Sequence, residues 1–343
     1  MKIALDVMGG DFAPSETIKG ALLAVKELGI EVILVGDKKK IENEFSKSNT
    51  EKYNLTIVHA DEIIPMKESH PVDAVRKMQN SSIMVAYDLV IQGDADAVVS
   101  AGNTGATMVG ALFKLRRLKG LDRPAIVTIF PTITNYCLIV DAGANSQCRP
   151  HHLLSFALMG DAYARQVMRR DNPRIGLLNV GEEPTKGTEL VIEAYKLIKD
   201  SNCNFIGNIE AKDIPLGKAD VVVTDGFTGN IVLKLAEGLG ETLIKMITES
   251  MINECGKGAT EHLMYPALQS VACKMDYSEY GGALLLGVNG VVVIAHGRSQ
   301  ARAISNAIKT AQKAVEGNII EVISKCLRTG DSERGDNLEI KRD

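Results

Sequence analysis

Val221-Val222-Val223-Thr224-Asp225-Gly226-Phe227-Thr228-Gly229-Asn230 is the stretch whose reading decides the fold. Three β-branched apolar residues run directly into a short loop of Gly with Asp, Thr and Asn. The arrangement recurs four more times: Ile3–Val7 into Met8-Gly9-Gly10-Asp11, Ala97–Ser100 into Ala101-Gly102-Asn103-Thr104-Gly105, Leu138–Val140 into Asp141-Ala142-Gly143-Ala144-Asn145, and Ile175–Leu178 into Asn179-Val180-Gly181-Glu182-Glu183. Buried parallel strands read as continuous apolar runs, and open α/β sheets bind ligands just beyond the strand carboxyl ends. The pattern therefore predicts an α/β fold with a mostly parallel sheet. It also predicts five loops gathered at one edge in one cleft, where glycine lets the backbone approach a ligand and helix starts offer N–H donors to an anion such as phosphate.

Helical periodicity fills the gaps between these strands. Ile18, Ala21, Leu22, Val25 and Leu28 predict a first helix over 15–28, with Pro14 and Ser15 at its start. Further strands are expected at 31–35 and 55–59, and helices at 72–91, from the 101–105 loop to about 115, at 151–168 and at 188–199. A long amphipathic helix is expected from 229 to about 254, and a second near 261–274 would complete a helical hairpin inserted at about 230–275. A strand pair near 282–287 and 291–295 and a closing helix over 300–327 finish a single domain of residues 1–328. The charged stretch 329–343 lacks apolar periodicity and reads as a disordered tail.

Composition narrows the function. The chain has 343 residues, 45% hydrophobic and 24% charged, with a net charge of −4, so nothing attracts it globally to nucleic acid or to an acidic membrane. With no Trp and 4% aromatics it carries no base-stacking platform. The six cysteines show no Cys-x-x-Cys spacing and read as free thiols of a reducing cytoplasm. No signal peptide or membrane-spanning stretch is expected.

Common catalytic fingerprints are missing: there is no Walker loop, no Gly-x-Gly-x-x-Gly after the first strand and no Gly-x-Ser-x-Gly elbow. His151 and His152 are read onto different sides of a helix start, so no metal is expected, and no cofactor either. What remains is a set of polar side chains that bind and orient: Asn103, Thr104, Asn145, Asn179, Thr228 and Asn230, with the charges of Asp6, Asp11, Glu183, Lys186 and Asp225. Such a site lacks its own covalent nucleophile and suits a reaction in which the substrate attacks. Inorganic phosphate is already anionic and needs only positioning against an electrophile held by donors.

Each feature also has a plainer reading. A glycine-rich strand end serves as a tight turn, Lys186 as a solvated lysine at a helix start, and His296 as a structural histidine. The basic stretches Lys114–Arg123 (Lys114, Arg116, Arg117, Lys119, Arg123) and Arg165–Arg174 read either as solvated helix faces or as docks for an acidic protein. Leu235, Leu239, Leu243, Met246, Ile247 and Met251 recur at helical spacing, as core or dimer interface. An apolar hairpin tip at Leu263, Met264, Tyr265, Pro266 and Leu268 offers a membrane contact or an acyl-chain lining.

The segments Asp6–Asp11 with Ala13-Pro14, Ser100–Ala106, Gly143–Asn145, Leu177–Gly181 with Lys186-Gly187, Phe205–Glu210, Val222–Asn230, Tyr280–Ala283 and His296-Gly297 closely resemble those of the PlsX-type phosphate acyltransferases. The resemblance covers nearly the whole chain except the tail. It implies a Rossmann-like α/β/α sandwich related to phosphotransacetylase and isopropylmalate dehydrogenase folds. It implies transfer of a fatty acyl group from acyl carrier protein to inorganic phosphate, the acyl phosphate product feeding glycerol-3-phosphate acylation. A homodimer with peripheral membrane association is implied as well. The expected catalytic residues are Lys186, Asn230 and His296. Phosphate and substrate contacts are expected from Asp6, Gly9, Gly10, Asp11, Ser100, Gly102, Asn103, Thr104, Gly105, Asn145, Asn179, Gly181, Asp225, Gly226, Phe227, Thr228 and Gly229. Arg116, Arg117, Lys119 and Arg123 are expected to dock the carrier protein. Three positions depart from the family pattern: Val7 stands where Ala is usual, Phe12 where His is frequent and Glu182 where Thr is frequent. None removes a Gly or the Asn/Asp skeleton.

Overall fold

The computed structural model describes residues 1–47, 54–255, 266, 271 and 281–327. The expected second arm of the hairpin, its apolar tip and the tail lie outside the described residues.

The first half builds β1 (Lys2–Asp6), α1 (Ser15–Leu28), β2 (Glu31–Gly36), α2 (Lys38–Lys47), β3 (Leu55–His59), α3 (Pro71–Lys77), α4 (Ser82–Gln92), β4 (Ala97–Ser100) and α5 (Thr104–Lys114). The predicted helix over 72–91 is thus two helices. The chain breaks between them because Ser81 bridges to Glu62 and its hydroxyl donates to the Met78 carbonyl. Next come β5 (Ala125–Pro131), β6 (Tyr136–Val140), α6 (Pro150–Gln166), β7 (Ile175–Leu178), α7 (Glu189–Lys199), β8 (Phe205–Ile209) and β9 (Val221–Val223). α8 (Gly226–Cys255), β10 (Ala283–Leu286), β11 (Val291–Ile294) and α9 (Ala301–Glu316) follow. The closing helix ends at Glu316 rather than running through, and a turn at Gly317 and Asn318, the latter at φ 48°, separates it from a helical segment over 319–327.

All eleven strands form one sheet in the order β3-β2-β1-β4-β11-β10-β5-β6-β9-β7-β8. Interior strands such as β1 are buried on both faces, so Ile3, Ala4 and Leu5 are all inaccessible and the sequence reads as an unbroken apolar run. One face carries the core of α1, α6, α7 and α9, with Ile18, Leu153, Ile198 and Ile304. The other carries α3, α4, α5 and the start of α8, with Val75, Met84, Ala106 and Leu233.

The pairing corrects one expectation. β10 runs antiparallel to both β11 and β5, and β5 runs antiparallel to β6. The strands β6, β9, β7 and β8, parallel among themselves, therefore point opposite to β1, β2, β3, β4 and β11. The five loops do not leave one edge: those after β1 and β4 leave one, and those after β6, β9 and β7 leave the other. Periodicity cannot register strand direction, so three antiparallel contacts in mid-sheet were invisible in the sequence.

Candidate active site

At the first edge, the loops after β1 and β4 pack directly on each other. A side chain at Gly9 would come within 2.6 Å of the Gly102 amide nitrogen and 2.8 Å of the Asp6 carboxylate. Asp6 is buried and accepts from the Ser100 hydroxyl at 2.8 Å and the Met8 amide at 3.2 Å. Burial raises its pKa against these hydrogen bonds. Its carboxylate organises the two loops. Asn103 caps α5: its Oδ1 accepts from the Ala106 amide at 2.9 Å, and its Nδ2 donates to the carbonyls of Met66 and Glu68. Both ends of that amide are therefore committed to structure, leaving the first-turn amides of Thr104 and Gly105 as the donors facing outward. Asp6, Gly9, Gly102 and Asn103 line a small recess together with Ser82 and Thr107. Gly10 and Asp11 lie beside the last loop of this edge, the Asp11 amide donating to the Gly297 carbonyl at 2.8 Å.

His296 follows β11 here. Its Nδ1 accepts the Arg298 amide at 3.1 Å, which leaves the proton of the neutral ring on Nε2. Burial lowers its pKa; Arg298 and Lys234 push the same way, while Glu237 and Asp11 oppose them. At neutral pH the ring is a hydrogen-bond donor rather than a proton source.

At the second edge, the loop after β6 and the start of α8 form one unit. Asp141 is fully buried and its two oxygens hold five N–H donors: Ile126, Gly143 and Ala144 amides on Oδ1 at 3.0, 3.2 and 3.0 Å, and the Asn145 amide and side chain on Oδ2 at 2.7 and 2.8 Å. Burial raises its pKa against these hydrogen bonds. Asn145 also donates to the Pro124 carbonyl at 2.7 Å and accepts the Gly226 amide through its own carbonyl at 2.8 Å. Asp225 caps α8, accepting the Thr228 amide at 2.9 Å and hydroxyl at 2.7 Å. This cap is why α8 begins at Gly226, three residues before the predicted start. Gly226 and Gly229 are required by this packing: side chains there would meet Asp141 Oδ2 at 2.6 Å and the Asp141 carbonyl oxygen at 2.0 Å. Phe227 and Asn230 remain exposed at the rim.

β7 adjoins β9, so the loop carrying Asn179, Gly181 and Lys186 leaves this same edge. Asn179 folds it, accepting from the Val180 amide and donating to the Lys186 carbonyl at 2.9 Å, while Asn208 donates to the Glu183 carbonyl at 3.0 Å. Lys186 stands exposed with its ammonium 2.8 Å from Glu183.

The candidate residues thus form two groups, and α8 joins them. Lys234 and Glu237, one and two turns beyond Asn230, lie close enough to act on the His296 ring. α8 therefore carries Asn230 at the second group and reaches toward His296 of the first. Sequence reasoning missed Asp141, Lys234 and Glu237. The signal for Asp141 was available, because an acid followed two to four residues later by Gly, Ala and Asn is a turn in which a carboxylate gathers backbone amides.

The basic stretches separate clearly. In Arg165–Arg174, Arg165 pairs with Asp161 at 2.8 Å, and Arg170 and Arg174 both pair with Asp220 at 3.0 Å, which makes this segment a brace. In Lys114–Arg123, Lys114 is held by Asp88, but Arg116, Arg117, Lys119 and Arg123 are exposed. His151 and His152 are not on different sides of the helix start. Their rings stack edge-on at 4.3 Å, and both Nε2 atoms face Asp122, at 2.9 and 3.9 Å. The His152 Nδ1 accepts the Arg149 amide, so its proton sits on the very nitrogen a metal would need, and Arg123 and Arg149 add positive charge nearby.

This architecture is that of the phosphotransacetylases. A phosphotransacetylase from Streptococcus pyogenes superposes with a TM-score of 0.66 at 20% identity, covering 92% of this chain and 94% of that one. The EutD phosphotransacetylase from Staphylococcus aureus gives 0.60 at 19% identity, covering 91% and 94%. The chain belongs to the fatty acid synthesis protein family, whose model matches residues 1–322. Relatives from Desulforamulus reducens (49% identical over 327 residues, 95% of this chain and 97% of that one) and Pelotomaculum thermopropionicum (47% over 329 residues, 96% of each) are both named phosphate acyltransferase.

Proposed function

We propose that the chain transfers a fatty acyl group from an acyl carrier protein thioester to inorganic phosphate. The phosphate oxygen attacks the thioester carbonyl, the carbon–sulfur bond breaks, and the proton of hydrogen phosphate ends on the released thiol. Acyl phosphate and free carrier thiol are the products, the former a substrate for phospholipid synthesis. The observation that carries this reading is the family match over residues 1–322, with relatives named phosphate acyltransferase; beside it, the Cys148 thiol is pushed up to about 12 by burial and by Asp141 and Asp225. It is no nucleophile at neutral pH. In this reading Asn230 and the His296 Nε2–H supply donors for the oxyanion, and phosphate is held either by Lys186 at the second edge or by the amides of Thr104 and Gly105 at the first.

The exposed cations Arg116, Arg117, Lys119 and Arg123, joined by Arg149, offer the acidic carrier protein a dock beside the Asn230 rim, since Arg123 is felt at Cys148. α8 carries Phe227, Ile231, Leu235, Leu239, Leu243, Met246 and Ile247 in one exposed apolar stripe, with Leu235 67% accessible. A second copy of the chain covers this stripe in our reading. No helix among the described residues is long and apolar enough to cross a membrane.

The test is thiol release from long-chain acyl carrier protein with and without phosphate, beside short-chain and long-chain acyl coenzyme A. Phosphate-dependent release, fastest on the carrier protein, is expected. Preference for short-chain acyl coenzyme A would make the chain a phosphotransacetylase instead.

A further inference from the structure

We propose that Asp141 is a positioning residue that aims Asn230 by holding the loop between them. The inference rests on the reading of Asn230 as an oxyanion donor and goes beyond it, because Asp141 itself touches no substrate.

Three observations carry it. Asp141 gathers five N–H donors on two oxygens, four of them from the three residues Gly143, Ala144 and Asn145. One carboxylate thus shapes the whole loop. That loop is then locked to α8: Asn145 accepts the Gly226 amide, and Gly229 sits so close that a side chain there would reach 2.0 Å from the Asp141 carbonyl oxygen. Finally, Gly143, at φ 137°, lies against the side chain that matters. A Cβ at this position would be 3.7 Å from Asn230 Cβ, 3.8 Å from its Cγ and 4.0 Å from its Oδ1. Asn230 is exposed, and an exposed amide has little else to restrict its rotamer. Gly143 is thus the loop residue beside the Asn230 side chain, and Asp141 is what holds its backbone in place.

Asp141→Asn is the sharpest perturbation. It conserves shape but replaces one oxygen by an NH₂, which faces at least two N–H donors where an acceptor stood. A misplacement of about 1 Å at a reacting group costs roughly 10²-fold in turnover. The expected result is a kcat lower by about that factor, with the KM for phosphate moving far less.

The deciding comparison is the double variant. If Asp141 acts through Asn230, then Asp141→Asn added to Asn230→Ala slows the enzyme little further, because the group being aimed is already gone. A general loss of structure would lower the melting temperature and multiply with Asn230→Ala instead. Full multiplication of the two defects, or an Asp141→Asn enzyme with unchanged kcat beside a crippled Asn230→Ala, overturns the inference. Should Asn230→Ala itself run at the wild-type rate, it is the reading of Asn230 that has failed, and the assignment of Asp141 falls with it. If Asp141→Asn does not fold, Gly143→Ala replaces it: the methyl has room, the strained φ displaces the loop, and the same non-additivity with Asn230→Ala is required.

Discussion

Gly229→Ala is the substitution for which the structure makes the strongest claim. Its Cβ would lie 2.0 Å from the Asp141 carbonyl oxygen and 3.1 Å from both the Asp141 carbonyl carbon and Thr224 Cγ2. Real Cβ contacts essentially never fall below 3.0 Å, so α8 and the loop must separate by about 1 Å. The obstruction is backbone, with no flexible side chain to swing away. Overpacking of this kind costs about 3 kcal/mol, and for a chain of this size that lowers the melting temperature by roughly 4 °C. Asn230 is the next residue, so it moves with the helix start, and a shift of about 1 Å should lower kcat by roughly 10²-fold. The assay is a thermal melt together with phosphate-dependent thiol release. Gly238→Ala serves as control, on the same helix but with no atom of the described residues beyond its own helical turns within 4 Å of the added methyl. It should keep full turnover and melt no lower. A Gly229→Ala enzyme with wild-type melting and turnover would refute the packing argument and, with it, the claim that this glycine serves packing rather than ligand approach.

Lys186→Ala should lower turnover by about 10²-fold if the ammonium stabilises the transition state, while its exposed pairing with Glu183 means the melting temperature should barely move. Reversing charge at Arg123 and Arg149 should raise the KM for acyl carrier protein and flatten its salt dependence, leaving the KM for phosphate alone; equal effects on both would remove the docking surface. His152 and His296 both have pKa values lowered from 6.5 by burial, so the native state binds fewer protons than the unfolded chain just below that pH. Their contribution to stability is present above pH 6.5 and is lost as the pH falls through the folded values; His152→Gln should reduce the acid-side slope of a melting-temperature titration, and an unchanged slope would count against it. Replacing Leu235 and Leu239 together by Lys should shift the chain toward monomer in light scattering, where an unshifted mass would exclude the α8 stripe as the contact between copies.

Strand positions were legible because buried β-branched runs such as Val221–Val223 have few other readings. Strand direction was not: Leu138–Val140 and Val291–Ile294 look alike in sequence but run oppositely in the sheet. The loops of the candidate site lie at strand ends as their composition indicates, and several of their residues also hold the scaffold together. Asn103 and Asp225 are helix caps, Asn145 and Asn179 are loop braces, and Gly9, Gly102, Gly226 and Gly229 are close approaches of one loop to another. A glycine needed so that backbone can meet backbone has the same letter as one needed for a ligand. The pairing that neutralises Arg170 and Arg174 was likewise hidden, because Asp220 lies 46 residues from Arg174.

The central claim is that phosphate, and no residue of the chain, attacks the thioester. Mixing the enzyme with excess long-chain acyl carrier protein in the absence of phosphate, then measuring the intact mass of the quenched enzyme, tests it most directly. The account predicts an unmodified chain and no thiol release until phosphate is added. An enzyme carrying one acyl group, accompanied by a stoichiometric burst of carrier thiol, would contradict it.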